Sequence, residues 1–254
     1  MPIDIPLFDA HFHIIDKAYP LIANQGYLPD AYTCDDYLKR MKGQQLVGGA
    51  VVSGSFQGFD QGYLVAALKR LGDGFVGVTQ LPASVDDSTM DKLDKVGVRA
   101  VRFNLFRGGS EGLDQLDDFV HRVHERLGWH VELYLDARAI EDLESRLVKL
   151  PAVCIDHLGL SKGGQQSLLR LVEKGVKVKA SGFGRVDFNV IPVLRDLYAA
   201  NPNCLMFGTD LPSTRAPRPY KESDITLVRE ALSEQGVRRL FFENGCTFYR
   251  CKQI

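Results

Sequence analysis

The chain has 254 residues, 45% hydrophobic and 25% charged, and 31 Lys+Arg against 32 Asp+Glu leave a formal net charge of −1. That is ordinary globular composition, which excludes disordered and fibrous classes. The balanced charge offers no broad basic field, so neither nucleic acid nor a membrane surface is an expected partner.

The opening Met1-Pro2-Ile3-Asp4-Ile5-Pro6-Leu7-Phe8-Asp9 lacks the basic and apolar regions of a secretory leader, and no run approaches the roughly 18 apolar residues of a spanning helix. A cytoplasmic protein is expected. Its five cysteines, Cys34, Cys154, Cys204, Cys246 and Cys251, are scattered without a CxxC pair and are expected to be reduced. Eight apolar, β-branched runs then begin near Leu7, Val47, Val76, Val98, Val131, Val153, Val176 and Leu205. Each gap is long enough for a strand, a loop and a crossover helix.

Between the runs lie helix signals. Thr33 precedes Asp35, Asp36 and a basic last turn at Lys39-Arg40, an N-cap with matching dipole charges. Leu113, Leu116, Val120, Val123 and Leu127 recur at three- and four-residue spacing, and Ser161, Asn189 and Asp224 each lead into a further apolar periodicity. Gly49-Ala50-Val51-Val52, Phe75-Val76-Gly77-Val78 and Ala152-Val153-Cys154-Ile155 read as strands buried on both faces, hence parallel. No linker or composition break divides the chain. The expected architecture is one (β/α)8 TIM barrel over residues 1–254, with chemistry at the C-terminal strand ends.

Polar residues collect at those ends. The first run closes on His11-Phe12-His13, whose two imidazoles share a face of an extended chain. The sixth closes on Asp156-His157 and the eighth on Thr209-Asp210. Taken alone, His157 reads equally well as a satisfied buried histidine and Asp210 as a turn or cap residue; their shared place at strand ends argues for function. Arg102 lies inside a buried strand and needs a carboxylate partner from protein or ligand. Arg107 and Arg185 on loops and Tyr134 after the fifth run add anion-binding chemistry, and together they fit a substrate with more than one carboxylate. The run Arg215-Ala216-Pro217-Arg218-Pro219-Tyr220 reads as a rigid loop over the mouth. His121, His124 and His130 read as structural, and Gly108-Gly109 and Gly163-Gly164 lack phosphate-loop spacing.

Phe8-Asp9-Ala10-His11-Phe12-His13, Val101-Arg102-Phe103-Asn104, Gly128-Trp129-His130-Val131, Ile155-Asp156-His157-Leu158-Gly159 and Phe207-Gly208-Thr209-Asp210 resemble, in order, motifs of the amidohydrolase superfamily. The resemblance is nearest to its branch of 2-pyrone-4,6-dicarboxylate hydrolases and related lactonases. It implies hydrolysis of a carboxylated lactone, as in aromatic catabolism. In that scheme His11, His13 and His157 polarise the carbonyl, and Asp210 takes the proton of the attacking water. It also places Arg102, Arg107, Tyr134, Arg185, Tyr27, Ser53 and Ser55 at the substrate. Two departures stand near substrate positions: Leu211-Pro212-Ser213 where the family reads Trp-Pro-His, and Gln57 where it has a histidine.

Most amidohydrolases hold one or two divalent metals. Arg102 and Tyr134 stand where a binuclear site needs its extra ligands, and arginine cannot ligate. The resembled branch implies no metal. The alternative is a single zinc held by His11, His13, His157 and Asp210 in a decarboxylase or amide hydrolase. A further alternative is a non-catalytic carboxylate-binding barrel. A homo-oligomer is compatible with all three.

Overall fold

The computed structural model describes residues 5–251; residues 1–4 and 252–254 lie outside the described residues. Eight strands, β1 (Leu7–Phe12), β2 (Leu46–Val52), β3 (Phe75–Thr79), β4 (Val98–Asn104), β5 (His130–Tyr134), β6 (Val153–Ile155), β7 (Lys177–Ala180) and β8 (Leu205–Phe207), pair in sequence order. Every adjacent ladder from β1 to β8 is parallel. The eight expected runs are the eight strands, each starting within one residue of its sequence signal. The fold is a (β/α)8 barrel.

Helices α1 (Cys34–Arg40), α2 (Gly62–Leu71), α3 (Asp87–Lys95), α4 (Leu116–Leu127), α5 (Ile140–Leu147), α6 (Gln165–Glu173), α7 (Val190–Ala200) and α8 (Ser223–Ala231) alternate with the strands. Two short helices follow, α9 (Glu234–Arg238) and α10 (Asn244–Phe248). α1 starts as expected: the Asp36 amide donates to Thr33 Oγ1, and the Thr33 amide donates to the Asp36 carboxylate at 2.8 Å. Asn189 caps α7 through the Ile191 amide at 3.1 Å. Asp224 does not cap α8; its carboxylate accepts from Arg218 and from the Lys221 amide, which turns the preceding loop back on the helix. A large apolar cluster fills the layer between helices and strands, and a smaller one, including Phe8, Ala50, Val78, Met206 and Tyr249, fills the barrel bottom. None of the five cysteines is in a disulfide. No helix among the described residues is long and apolar enough to cross a membrane.

The closing seam places the site. Just beyond β8 the Asp210 amide donates to His11 O and the His13 amide donates to Leu211 O, both at 2.7 Å. The approach is so close that a Cβ on Gly208 would lie 2.7 Å from the His11 Cβ. Asp9 locks the seam by accepting from the Thr209 amide (2.8 Å), the Thr209 hydroxyl (2.7 Å) and the Tyr37 hydroxyl (3.0 Å). Burial pushes the Asp9 carboxyl up to about 6, against those hydrogen bonds. A folded-state value above the ordinary one means stability held below pH ~4 and lost as pH rises through about 6. Thr209→Val removes one donor from this buried carboxylate. It is expected to cost about 1–3 kcal/mol by urea denaturation, and more at pH 8 than at pH 5.

Candidate active site

Three imidazoles and one carboxylate meet at the barrel mouth, all essentially shielded from solvent. Asp210 Oδ1 lies 3.9 Å from His11 Nε2, 3.8 Å from His13 Nε2 and 3.8 Å from His157 Nε2. These separations exceed direct hydrogen bonds and suit a small oxygen species between the groups. Two of the four are held in left-handed backbone, φ 52° at His157 and 60° at Asp210. Such conformations cost free energy and persist where the surroundings fix them. Gly182 adds to this fit, since a Cβ there would lie 2.6 Å from His157 Nδ1.

The far side of each ring fixes its role. His13 Nδ1 sits 2.7 Å from Val52 O, which only accepts, so Nδ1 carries the hydrogen and Nε2 presents a lone pair. His11 Nδ1 lies 3.3 Å from the Lys179 ammonium, which only donates, and 3.4 Å from Asp156 Oδ1, which only accepts, so these contacts serve a hydrogen on either Nδ1 or Nε2. That Nε2 is buried with no hydrogen-bond partner among the described residues and aims into the site. His157 Nδ1 meets the Ser181 hydroxyl at 2.9 Å, a partner that serves either tautomer. Burial, reinforced by neighbouring charges, lowers all three histidines, strongly for His13 and His157, so they are neutral at neutral pH.

Beneath the rings runs a charged network that residue patterning did not single out. Lys179 on β7 is fully buried and pairs with Glu132 on β5, with Asp156 Oδ1 at 3.5 Å. Burial opposes the Lys179 ammonium, but Glu132 and Asp156 outweigh it and hold the group above its ordinary value. Burial likewise opposes the Asp156 anion, yet Lys179, His11 and Arg102 hold it well below the usual carboxylate range. Arg102 thus has its carboxylate inside the protein: Nε and Nη2 donate to Asp156 Oδ2 at 3.1 and 2.9 Å, and Nη1 donates to Ser53 O at 2.9 Å. Tyr249 closes the network from the C-terminus through Glu132. The available signal was parity, because Glu132 and Lys179 share a strand face with other inward positions of β5 and β7.

Above the rings an open cavity is lined by His13, Ser55, Arg102, Arg107, Tyr134, His157, Arg185 and Arg215, with no acidic side chain on its wall. Arg185 is not the solvent-exposed loop residue its position allowed. It is 7% exposed and grips Asp210, Nε to Oδ2 at 2.7 Å and Nη2 to Oδ1 at 3.2 Å. Ser53 turns away, its hydroxyl against the Tyr63 hydroxyl at 2.5 Å, and reaches the site only through its carbonyl. Tyr27 stacks 4.7 Å beneath the Arg215 guanidinium, not on the cavity wall. Both departures from the family pattern also face away. Gln57 bonds the Gly54 amide and Ile14 O, and the Ser213 hydroxyl accepts from the Tyr220 amide.

A divalent ion is the group most amidohydrolases would place here. His11, His157 and Asp210 bring ligand atoms within 4.8 Å of one another, with donor types that suit zinc, whereas His13 stands outside that cluster. The charges do not match. Lys179, Arg102 and Arg185 already balance Glu132, Asp156 and Asp210, with Arg185 on both oxygens of the would-be ligand. A divalent ion would add two positive charges to a buried, neutral set. A second cluster, His11, Glu132 and Asp156, surrounds the Lys179 ammonium, which occupies the cation position itself.

Comparison with known proteins fits this arrangement. The sequence profile described as amidohydrolase matches residues 8–251. The chain belongs to the amidohydrolase family. Like other members it is an enzyme of the hydrolase type. A Comamonas testosteroni amidohydrolase relative, named 2-pyrone-4,6-dicarboxylate hydrolase, is 26% identical over 233 residues, covering 80% of this chain and 76% of the relative. A Pseudomonas putida structure, described as a candidate 2-pyrone-4,6-dicarboxylic acid hydrolase, superposes with a TM-score of 0.81 at 25% identity, covering 99% of this chain and 100% of that one. An Acinetobacter baumannii structure described in the same way, with citric acid bound, gives 0.82 at 22% identity, covering 96% and 99%.

Proposed function

We propose that this amidohydrolase opens a carboxylated lactone of the 2-pyrone-4,6-dicarboxylate type by attack of water on the ester carbonyl, without a metal. The observation that carries the reading is Asp210 Oδ1 equidistant from three neutral imidazoles beneath an arginine-lined, acid-free cavity. The Comamonas relative's name supplies the substrate class.

In this mechanism Arg185 and Arg102 take ligand carboxylate, and Tyr134 and Ser55 border the ring. The lactone carbonyl oxygen points at His11 Nε2, the ring taking its Nε2–H tautomer, with His157 beside it as second donor. Those donors stabilise the developing oxyanion, a contribution of roughly 10²–10³-fold per donor. Water lies between Asp210 Oδ1 and the bare Nε2 of His13. Asp210 takes its proton as oxygen attacks the carbonyl carbon, worth roughly 10²–10⁴-fold. Collapse breaks the ring C–O bond, and the enolate leaving group takes the proton back. The product is a single open-chain molecule that carries the new carboxylic acid and, after the enol tautomerises, a ketone. An enol ester is activated enough for these two effects to suffice.

Protein stripped with a chelator and assayed for acid release at constant pH is expected to keep its full rate. A rate lost on stripping and restored by Zn²⁺ would instead install the single-metal reading, which the convergence of His11, His157 and Asp210 favours. Cytoplasmic location and organisation as one domain remain part of this proposed picture.

A further inference from the structure

The turn after α10 brings two thiols together that are not spaced as a CxxC pair. The helix ends at Phe248, and the chain beyond it closes in the Schellman arrangement of a helix C-terminus. The Cys251 amide donates to Cys246 O at 3.0 Å and the Arg250 amide donates to Thr247 O at 3.3 Å, with Arg250 in left-handed backbone at φ 55°. Arg250 also ties the turn to the end of α4, its Nη1 donating to Leu127 O at 3.0 Å. In this motif the side chains at the two ends of the longer hydrogen bond meet, commonly as an apolar contact. Here both are cysteine, and their thiols are hydrogen-bonded to each other. With the backbone contact at 3.0 Å, standard bond lengths hold the two Cα atoms within about 7 Å, the outer limit for bridging, so the sulfurs can join without moving the backbone.

The pair differs from the other three cysteines. Burial pushes the Cys34 thiol up to about 11 and the Cys204 thiol up to about 12, and it holds Cys154 well above its ordinary value. Cys246 alone of the five is held below its ordinary value, because Cys251 donates a hydrogen bond to its sulfur; the same bond, with burial, raises Cys251. Both are half-buried, so a small oxidant reaches them. Between them in the chain lies Tyr249, fully buried, whose hydroxyl reaches Glu132 in the charged network beneath His11.

We propose that Cys246 and Cys251 are a reversible oxidation site, which a hydroperoxide converts to a disulfide that staples the turn carrying Tyr249 beneath the active site. The Cys246 thiolate attacks a peroxide oxygen, the O–O bond breaks, and the departing hydroxide takes a proton and leaves as water. Cys246 is then a sulfenic acid. The Cys251 sulfur attacks the Cys246 sulfur as the S–S bond forms, and the sulfenic oxygen leaves with the Cys251 proton as a second water. The two thiols lose two electrons and the peroxide gains them; a dithiol reductant reverses the change. The site is independent of the lactonase reading and is tested without turnover.

Reduced full-length protein is treated with about one equivalent of hydrogen peroxide, then denatured, alkylated and cut with trypsin, which cleaves after Arg250 and so separates the two cysteines. The expected product is a pair of peptides joined through Cys246 and Cys251 and released by dithiothreitol. It is expected to form at least about tenfold faster than any oxidation of Cys34, which is also half-buried but carries the raised thiol. Cys251→Ser keeps a hydroxyl beside Cys246 but removes the resolving sulfur, and it is expected to stop at a Cys246 sulfenic acid that dimedone traps. The stapled wild type is expected to melt about 4–8 °C above the reduced protein, from the closure of a short ring. Oxidation falling first on Cys34, or disulfides between chains in place of the internal one, would overturn the site. A joined pair with an unchanged or lower melting temperature would overturn the staple.

Discussion

Asp210→Asn is expected to lower kcat for lactone opening by about 10²–10⁴-fold, the range spanned by general-base groups, while leaving ligand carboxylate bound at least as tightly as in the wild type. The reason for the opposite signs lies in Arg185. In the wild type both Asp210 oxygens accept from it, at 2.7 and 3.2 Å. Asparagine keeps one acceptor but removes the charge, so the Arg185 cation loses its internal counter-ion and turns more strongly to an anionic ligand. The same change removes the only carboxylate among the described residues that faces the three Nε2 atoms, and the attacking water loses its proton acceptor. Steady-state kinetics paired with titration of isophthalate, a dicarboxylate with no ester to open, separates the two effects. Retention of more than a tenth of kcat would remove Asp210 as the base.

Lys179→Met is expected to be the most destabilising single change at the barrel centre, by about 3–5 kcal/mol, the cost of breaking a buried ion pair from one side. It strands Glu132 and Asp156, both fully buried, with Arg102 as the remaining partner of Asp156. The loss has a direction in pH. In the wild type Glu132 is held below its ordinary value: burial opposes the anion but Lys179 outweighs it, so its contribution is present above pH ~4.5 and lost as pH falls. Without Lys179, burial and the Asp156 charge oppose the anion against the weaker support of His130, and the folded-state value is expected to rise above the unfolded one. Stability is then lost as pH rises, so the deficit of the variant measured by denaturant is larger at pH 8 than at pH 5. The double variant Lys179→Met/Glu132→Gln should recover part of it. A deficit independent of pH would show that lost packing, not stranded charge, is responsible.

The barrel and its mouth were legible for different reasons. Parallel strands buried on both faces give continuous apolar runs, so all eight surfaced from hydrophobicity alone. His11, His13, His157 and Asp210 were legible because a polar residue closing such a run has no packing explanation. The Lys179, Glu132 and Asp156 network was hidden for the converse reason. A charge within a short strand reads as an interruption or a solvated face, and only the register that sets Arg102 beside Glu132, with β7 two strands on, brings the charges together. Pairing across the chain was equally out of reach. Nothing local tells that Arg185 pairs with Asp210 or that Arg102 pairs with Asp156. Gln57 and Ser213 were placed near substrate by alignment with the family pattern. Backbone partners turn both side chains away.

The central claim is that a carboxylated lactone is opened at Asp210. Its most direct test is acid release at constant pH from a panel of dicarboxylated, monocarboxylated and uncharged lactones, with wild type and Asp210→Asn side by side. The account predicts turnover that is highest with the dicarboxylated ring and lost in the variant. Binding of the carboxylated lactones with no acid released from any of them would contradict it and leave a carboxylate-binding barrel.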